Sequence, residues 1–506
     1  MDYYDTIIVG AGVAGLYTAY KLLKKHKNIK LAVLESTKYI GGRLHTIDYD
    51  GIKVDGGGAR FNTEQSRILN LIHELGLDDK KIPITNTTNY LPINPKYNKE
   101  LETLFPTIDE FIIFFKKLNI PDKQLLNTTI IDYVKQNLEN KKEYTTLAEY
   151  LENIYPYYSE LAILNAKEAY KLFTNEFSPN KKYMILNGGL QQITDTLLDK
   201  IKDKIDIHKE TPLISIKKSD ARYILTSTDN KSFTCSNIIL AIPKPKLMKL
   251  TYLSLARHLF DSVETTPLYR IYARYPKNKD GKVWFDGLDK IVTNLYIKYI
   301  IPINVDKGVI MISYTDGKYA NYWFEQMSNG TFEQELTKQL KLLFPNIDIP
   351  KPKWYKHCPW IIGAGYWKPK YDRLKYLPKI IKPLRNNNIY ICGENYSSHQ
   401  AWVEGSLETA DLVLKHFNRV KRTQKGGKEK EYTLQEVEKH NKKTDAWIII
   451  NGIVADITEW IPKHPGGDII MKGVGKDASK LFNTIGHDSY AKKMLQKYKI
   501  GKLKIN

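Results

Sequence analysis

Two histidines near the C-terminal end have the residue type and setting of metal ligands. His464 opens the segment His464-Pro465-Gly466-Gly467, and His487 follows Gly486. The Pro-Gly-Gly residues predict a tight turn that directs His464 inward. Neutral imidazole is a common metal ligand, although a single histidine is more often an ordinary polar residue. A pair within a patterned segment therefore favours a metal site over a structural role.

A glycine-rich segment near the start predicts a dinucleotide site. The motif Gly10-Ala11-Gly12-Val13-Ala14-Gly15 follows the β-branched run Thr6 to Val9 and precedes residues of helical character, and Glu35 closes the next apolar run. The glycines allow the backbone to approach a pyrophosphate, and Glu35 can accept a hydrogen bond from a ribose 2′-hydroxyl. A tight turn without a ligand is the alternative, and the agreement of strand, turn, helix and acid disfavours it.

The elements around these residues indicate several folding units. A chain of 506 residues exceeds one hydrophobic core and predicts about three units. The first forty residues predict one βαβ unit, and apolar residues from Glu100 to Phe177 recur at helical spacing, which indicates a helical insertion. Short strands are predicted between Ile205 and Pro243. Asn418 to Lys430 is charged and almost free of apolar residues, so we predict an exposed linker there.

Composition argues against several classes of protein. The net charge of +21 could attract nucleic acid, but the lysines are scattered and no recognition module accompanies them, so we expect no nucleic-acid partner. No apolar run approaches the roughly 18 residues of a membrane helix, so no transmembrane anchor is expected. The 3 cysteines have no metal or redox spacing, which is typical of a reducing compartment. We therefore expect a cytoplasmic protein.

Further motifs decide between NAD and FAD as the dinucleotide. Gly41-Gly42-Arg43 and Val54-Asp55-Gly56-Gly57-Gly58-Ala59-Arg60-Phe61 follow the first βαβ unit. Ile391-Cys392-Gly393-Glu394-Asn395 precedes Ala401-Trp402-Val403-Glu404-Gly405. With these motifs the region from Asp5 to Phe417 resembles the flavin amine oxidase family, which includes monoamine, polyamine and L-amino-acid oxidases. The resemblance implies FAD.

The resemblance also implies which residues contact FAD. Gly42 and Arg43 are expected along the pyrophosphate and the flavin ring, where an arginine stabilises the anionic reduced ring. Backbone near Leu213 is expected to hold the adenine, Glu394 to face the ribityl-phosphate region, and Val403 to begin a helix that meets the flavin. The expected cofactor-binding set is Gly10, Gly12, Gly15, Glu35, Gly42, Arg43, Leu213, Glu394 and Val403.

Three residues are implied in catalysis. Tyr366 and Trp402 fall where the family frames its substrate with two aromatic rings, which orient an amine and exclude water. An ordinary packing role is the alternative for either ring. Arg60 falls where amino-acid oxidases bind the substrate carboxylate through an arginine, and the alternatives are a structural salt bridge or a flavin contact. Gly365 stands where monoamine oxidases have a flavin-linking cysteine, so the FAD is expected to be non-covalent.

One family residue is missing from its expected position. A lysine near the flavin is expected shortly after Pro267-Leu268, and counting along the chain places Ala273 there, with Arg270 as an alternative cation. Without that lysine, efficient reoxidation by dioxygen is in doubt. The departure therefore predicts a dehydrogenase rather than an oxidase.

The C-terminal region resembles cytochrome b5 from Tyr432 to Lys504. The resemblance rests on Trp447 to Thr458, His464-Pro465-Gly466-Gly467, Gly475-Lys476-Asp477-Ala478, Phe482 and Gly486-His487. It implies heme b with His464 and His487 as the two axial ligands. Iron with two histidine ligands has no open position, so the domain is expected to carry single electrons and to bind neither substrate nor oxygen.

Together these features predict an FAD-dependent oxidoreductase that oxidises a C–N bond of a small-molecule amine or amino acid. Electrons are expected to pass from the flavin to the haem and then to a one-electron partner protein, which could also act as a donor. A C–C desaturase or isomerase on the same fold is one alternative. An electron-transfer protein that uses its b5 domain to serve a partner is another.

The predicted fold is α/β. It combines a Rossmann-type FAD-binding domain (about 1–85, 181–250 and 385–417) with a mixed α+β substrate domain (about 86–180 and 251–384). A linker (418–430) and a small α+β cytochrome b5-like domain (431–506) are expected to follow.

Overall fold

The computed structural model describes residues 3–84, 87–94, 99–177, 181–417, 430–485, 487 and 489–504. The chain forms two units, Met1–Val420 and Lys421–Asn506. Each unit has its own buried apolar clusters. No helix within the described ranges is long and apolar enough to cross a bilayer. Of the predicted linker, residues 418–429 lie outside the described residues.

The larger unit contains both strands and helices. Its strands are β1 (Tyr3–Val9), β2 (Leu31–Leu34), β3 (Thr46–Tyr49), β4 (Ile52–Asp55), β5 (Phe61–Asn62), β6 (Lys81–Ile84), β7 (Thr88–Tyr90), β8 (Tyr183–Leu186), β9 (Asp206–His208), β10 (Leu213–Ser219), β11 (Arg222–Ser227), β12 (Ser232–Leu240), β13 (Val263–Arg274), β14 (Lys290–Val292), β15 (Tyr299–Asn304), β16 (Val309–Asp316), β17 (Trp354–Trp367) and β18 (Ile389–Ile391). Its helices are α1 (Val13–Lys25), α2 (Ser66–Leu75), α3 (Glu100–Leu104), α4 (Ile108–Lys117), α5 (Asp122–Asn127), α6 (Ile130–Asn137), α7 (Leu147–Ile154), α8 (Tyr158–Ala162), α9 (Ala166–Asn175), α10 (Gln191–Ile201), α11 (Lys244–Leu247), α12 (Arg257–Phe260), α13 (Gly317–Ser328), α14 (Phe332–Leu343), α15 (Arg373–Ile381) and α16 (Val403–His416).

The first sheet places the N-terminal strand at its centre. Its order is β10-β11-β12-β1-β2-β9, and β18 also pairs with β12. Strand β1 runs parallel to β2 and β12, with Ile7 opposite Ala32 and Ile238. Every residue of β1 after Tyr3 is buried, as in a parallel strand covered on both faces. The predicted βαβ unit is confirmed, and the carboxyl ends of β1, β2 and β12 meet at one edge, where such sheets bind ligands.

The larger unit contains a second large sheet, of six strands. Its order is β17-β13-β16-β15-β14-β7, and all pairs except β14 with β7 are antiparallel. On β13, Tyr269, Ile271 and Ala273 join an apolar cluster with residues of α13 and α14. Tyr272 instead joins a cluster with Ile52 of β4. The register between β13 and β16 shifts between Ile271 and Tyr272 because β16 has an extra residue there, and the side chains of β13 continue to alternate between its two faces.

The region from Glu100 to Asn175 consists of helices α3 to α9, which confirms the predicted helical insertion. Aromatic side chains form much of its core, and the hydroxyls of Tyr150 and Tyr155 both donate to the carbonyl oxygen of Phe105, each at 2.6 Å. Helix α8 is anchored to the second sheet, because the amide of Ser159 donates to Oδ2 of Asp316 at 2.8 Å. The helical region is thereby fixed against β16.

The smaller unit is built on a five-stranded sheet. Its strands are β19 (Glu431–Tyr432), β20 (Asn441–Lys442), β21 (Asp445–Ile450), β22 (Ile453–Asp456) and β23 (Lys499–Leu503), in the order β19-β23-β22-β21-β20. Its helices are α17 (Leu434–Glu438), α18 (Ser479–Thr484) and α19 (Ser489–Lys497). Apolar residues of β21 and β22 pack with Val474 and Ala478. His464 precedes α18 and His487 follows it.

Candidate functional site

The turn between β1 and α1 requires glycine for steric reasons. Gly10 has φ +104°, and a Cβ on it would lie 2.5 Å from the carbonyl oxygen of Ala241. A Cβ on Gly15 would lie 2.0 Å from the carbonyl oxygen of Gly10. Helix α1 begins after Gly12 with no side-chain cap and no acid in its first turn. Its positive end therefore remains available to a phosphate group.

Glu35 follows β2 at the same edge of the sheet. Its carboxylate accepts hydrogen bonds from the amides of Ala11 and Thr37, both at 2.9 Å. The carbonyl oxygen of Glu35 accepts from the amide of Thr211, at 2.8 Å, which brings the start of β10 and Leu213 beside it. The residues predicted to bind the ribose and the adenine are therefore close together, as an adenosine group requires.

A second glycine segment packs directly on the first. Gly41 and Gly12 form an isolated parallel bridge, and a Cβ on Gly42 would lie 3.1 Å from the Cα of Gly12. The guanidinium of Arg43 donates to the carbonyl oxygen of Gly363 at 2.8 Å and to Oε2 of Glu394 at 2.6 Å. Arg43 therefore links the two predicted flavin-binding regions, which are far apart in sequence.

Glu394 is the centre of a hydrogen-bonding network. Besides Arg43, it accepts from the amides of Gly365 (2.9 Å) and Ala401 (3.0 Å) and from the side-chain amide of Asn395 (2.9 Å). The predicted helix start at Val403 is confirmed as the first residue of α16. The Arg43–Glu394 pair thus fixes β17 and the segment before α16 against the glycine turns, and these residues fit an FAD molecule.

Gly365 leaves no space for a side chain. A Cβ there would lie 2.6 Å from the side-chain amide nitrogen of Asn395. The three cysteines, Cys235, Cys358 and Cys392, are free and buried. A thioether to the flavin at position 365 is therefore chemically impossible in this chain.

We expect mild acid or heat denaturation to release FAD into solution, because Gly365 offers no sulfur for a covalent bond. Absorbance of the supernatant after precipitation, compared with total flavin, measures the released fraction. Flavin that stays with the precipitated protein would contradict this expectation.

Arg60 and Trp402 are brought together. The Arg60 guanidinium lies 4.7 Å from the ring centroid of Tyr183 and 5.8 Å from that of Trp402. The Tyr183 and Trp402 rings are stacked, with centroids 6.3 Å apart and planes at 15°. Among the residues that the structure describes, Arg60 forms no ion pair. Burial and the charge of Arg60 lower the pKa of Lys290 to about 8, so a second cation shares this region.

Tyr366 is held by different contacts. It is buried on β17, and its hydroxyl donates to Oε1 of Glu160 at 3.0 Å. Tyr157, which precedes α8, packs on Phe177, and Phe177 in turn packs on Trp402. Tyr366 therefore contacts α8 through Glu160, and Trp402 contacts the residue before α8, Tyr157, through Phe177.

The position of Ala273 differs from the interpretation based on counting. Ala273 is fully buried in the apolar cluster beneath α13 and α14. The cation of β13 that approaches the flavin-binding segment is Arg270, whose guanidinium donates to the carbonyl oxygen of Asp55 at 2.9 Å and lies 4.7 Å from the Tyr314 ring centroid. Ala273 and Arg270 are three residues apart on a strand whose side chains alternate, so they lie on opposite faces of β13, and counting from Pro267-Leu268 ended on the wrong face.

Several residues of this region were not predicted from the sequence. They are Tyr157, Glu160, Tyr183 and Lys290, and each comes from a segment without a recognised motif. The sequence signal for Glu160 is a charged residue beside Leu161 and Ala162 in the short segment Tyr158–Ala162.

The two predicted metal ligands share one hydrogen-bonding arrangement. Nδ1 of His464 donates to the carbonyl oxygen of Gly467 at 3.1 Å, and Nδ1 of His487 donates to that of Phe482 at 2.9 Å. A carbonyl oxygen only accepts, so Nδ1 carries the proton and Nε2 of each neutral ring carries the lone pair that a metal needs. The tautomers therefore fit axial ligation.

The surroundings of these histidines fit a flat apolar cofactor. Ile469, Leu481 and Ile485 are 50%, 42% and 57% exposed, so the segments beside the two histidines present apolar surface. The Phe482 and His487 rings are stacked at 4.2 Å. When bound, haem would cover such apolar surface and carry single electrons.

Comparisons with known proteins agree with this division. Residues 13–413 match the family "Flavin containing amine oxidoreductase", and residues 433–504 match "Cytochrome b5-like Heme/Steroid binding domain". Two solved structures of putrescine oxidase mutants have a TM-score of 0.63 at 17% identity, covering 82% of this chain and 98% and 99% of theirs. This likeness shows the fold.

Relatives in sequence fall into two kinds. An acyl-lipid (8-3)-desaturase of Physcomitrium patens is 43% identical over 103 residues, 19% of this chain and 21% of that protein. A cytochrome b5 of Nicotiana tabacum is 44% identical over 77 residues, 15% of this chain and 57% of that protein. This chain therefore spans less than two thirds of either relative. The uncharacterized protein R188 of Acanthamoeba polyphaga mimivirus is 21% identical over 482 residues, 82% of this chain and 94% of R188.

The glycine turns and the Arg43–Glu394 pair lie within residues 13–413, and His464 and His487 lie within residues 433–504. FAD and haem are accordingly the cofactors of the two units. The matched region covers most of the chain, and so this protein belongs to the flavin containing amine oxidoreductase family and carries a cytochrome b5-like domain at its C-terminal end.

Proposed function

We propose that this chain oxidises the C–N bond of an amine or amino acid with FAD and passes the electrons to its haem. The observation that carries the proposal is the Arg60 guanidinium, which lies beside Trp402 without an ion pair among the described residues. A guanidinium that contacts aromatic rings but no carboxylate among the described residues suits a substrate carboxylate. The name of the putrescine oxidase neighbours supports an amine as the group that is oxidised.

The three residues predicted in catalysis, with Arg43, have the following roles in this proposal. FAD, when bound, supplies the acceptor for a hydride equivalent from the substrate carbon. Arg60 binds and orients a carboxylate, while Trp402 and Tyr366 exclude water from the reacting C–N bond. Arg43 holds the flavin region through Glu394. No general base is assigned, because a neutral amine does not need one.

The haem domain defines the proposed route for electrons. His464 and His487 would hold the haem, which would supply one-electron transfer, so the domain would serve as a relay to a one-electron partner protein. Arg270 supplies a half-buried cation near the flavin-binding segment, although an arginine presents its charge over a planar fork rather than at one ammonium nitrogen. The cytoplasmic location and the domain boundaries expected from the sequence remain part of the proposal.

An anaerobic spectral screen tests the proposed reaction. Purified holoprotein is mixed with amines and amino acids, and flavin bleaching and haem reduction are followed in one trace. We expect at least one amine or amino acid to bleach the flavin. If no C–N compound does so and an alkene-forming substrate does, the C–C alternative is correct.

We expect the haem to be reduced before hydrogen peroxide appears when substrate is added in air. Added one-electron acceptor should then raise turnover. Cleavage of the chain within residues 418–430 should slow haem reduction, because attachment gives the two domains an effective concentration on the order of mM. Stopped-flow absorbance and a peroxide assay measure both events. Rapid peroxide with oxidised haem would instead identify an oxidase.

A further inference from the structure

Tyr366 is fixed at both ends of its side chain. The flanking residues attach its backbone to the flavin-binding segment, since the amide of Gly365 donates to Glu394 (2.9 Å) and the amide of Trp367 donates to Oε1 of Gln400 (3.0 Å). At the ring tip, the hydroxyl donates to Oε1 of Glu160 at 3.0 Å. Tyr366 and Glu160 are 2% and 6% exposed, so water does not replace either partner.

Glu160 has no compensating cation among the described residues. A second buried carboxylate, Asp316, accepts from the amide of Ser159, the neighbour of Glu160 on α8. Burial, and to a smaller extent the charge of Asp316, raise the pKa of Glu160 to about 8. When two buried carboxylates lie close together, only one of them is ionised near neutral pH. The amide of Ser159 donates to Asp316 and so favours the ionised form of Asp316. Glu160 is therefore the protonated member at neutral pH.

Other titratable groups face this pair from the neighbouring elements. Lys298 precedes β15, and burial lowers its pKa to about 7. Its ammonium donates to the carbonyl oxygen of Asn153 at 2.7 Å, at the end of α7. Tyr314 on β16 and Tyr157 before α8 are the neighbouring phenols. Burial, with the charge of Glu160, raises the pKa of Tyr366 well above its usual value, so its hydroxyl remains the donor.

We propose that Glu160 is a positioning residue that fixes the Tyr366 ring in the catalytic pocket and does so as a neutral carboxylic acid. The proposal rests on the proposed function insofar as Tyr366 lines the substrate pocket. A neutral acid accepts the phenol hydrogen bond without placing a negative charge behind a pocket that binds a carboxylate at Arg60. Ionisation at alkaline pH adds that charge and strengthens the hydrogen bond from Tyr366.

The test is a pH titration of the resting holoprotein without substrate. Infrared absorption of the protonated carboxyl group reports Glu160, and flavin absorbance reports the pocket. We expect one step above neutral pH in both signals for the wild type. Glu160→Gln, which keeps an acceptor oxygen but cannot ionise, should remove the step. Glu149→Gln, at an exposed glutamate on the neighbouring helix α7, should keep it. The same step in wild type and Glu160→Gln would overturn the proposal.

Tyr366→Phe provides a second measurement if Glu160→Gln does not fold. Removal of the phenol hydroxyl takes away the donor that stabilises the carboxylate, so the infrared step should move to higher pH. An unmoved step would show that Tyr366 and Glu160 do not interact. Neither titration needs a substrate. Both therefore test the role of Glu160 even if no amine or amino acid bleaches the flavin in the spectral screen.

With an active substrate, Glu160→Gln should also flatten the pH profile of KM while kcat at neutral pH stays within about threefold, because a glutamine accepts the same hydrogen bond. Glu160→Ala, which leaves the hydroxyl of Tyr366 unpaired, should lower kcat by about tenfold. Equal losses in both variants would overturn the positioning role.

Discussion

Replacement of His464 by alanine is expected to abolish the low-spin haem spectrum and to leave the FAD content unchanged. The lone pair on Nε2 of His464 is set by the hydrogen bond from Nδ1 to Gly467, and the alanine side chain has no atom that binds iron. Haem and FAD per chain, measured from the spectrum of the purified protein, give the result directly. His487→Ala should behave in the same way.

A matched control comes from the same unit. His440 stacks on Trp447 at 3.6 Å and its Nδ1 lies 2.7 Å from Asp445, so it is a histidine with structural contacts only. His440→Ala should therefore keep the haem spectrum, with some loss of stability. Loss of both cofactors in His464→Ala would contradict the expectation and would show that the two units do not fold independently.

The sequence predicts those parts of the fold that depend on residues close together in the chain. Gly10 and Gly15 can be replaced by no other residue without a clash, and their spacing, with the β-branched run before them and the helical residues after them, predicts the strand, turn and helix. The same holds for His464, where the turn and the ligand lie within one short segment. The family resemblances then imply that these segments bind FAD and haem.

The contacts that complete the site join segments far apart in sequence. Arg43 pairs with Glu394, Arg60 lies over Tyr183, and Tyr366 bonds to Glu160. No periodicity encodes such pairs, because each depends on how the helical insertion packs on the second sheet. Ala273 shows the same limit within one strand, since an odd error in counting along a strand assigns a residue to the wrong face.

Arg60 is the residue on which the choice between amine and amino acid depends. Arg60→Met keeps the apolar stem and removes the guanidinium. The variant should lower kcat/KM for the amino acid found in the screen by about 10²-fold, since a hydrogen-bonded charge pair contributes about 1.5–3 kcal/mol. The amine that lacks the carboxylate but is otherwise identical should change by less than about threefold.

The control for Arg60→Met is an arginine with the same ring contact at a distant position. Arg222 on β11 lies 4.7 Å from the ring centroid of Tyr3, the same distance as Arg60 from Tyr183. Arg222→Met should leave kcat/KM for both substrates unchanged, because loss of an exposed cation–π contact affects stability by only about 0.5–1 kcal/mol. If Arg60→Met instead lowers kcat/KM equally for the amine and the amino acid, Arg60 contacts the flavin or supports the aromatic stack, and the carboxylate assignment is wrong. A loss confined to the amino acid assigns the guanidinium to the substrate carboxylate, because only that group differs between the two compounds.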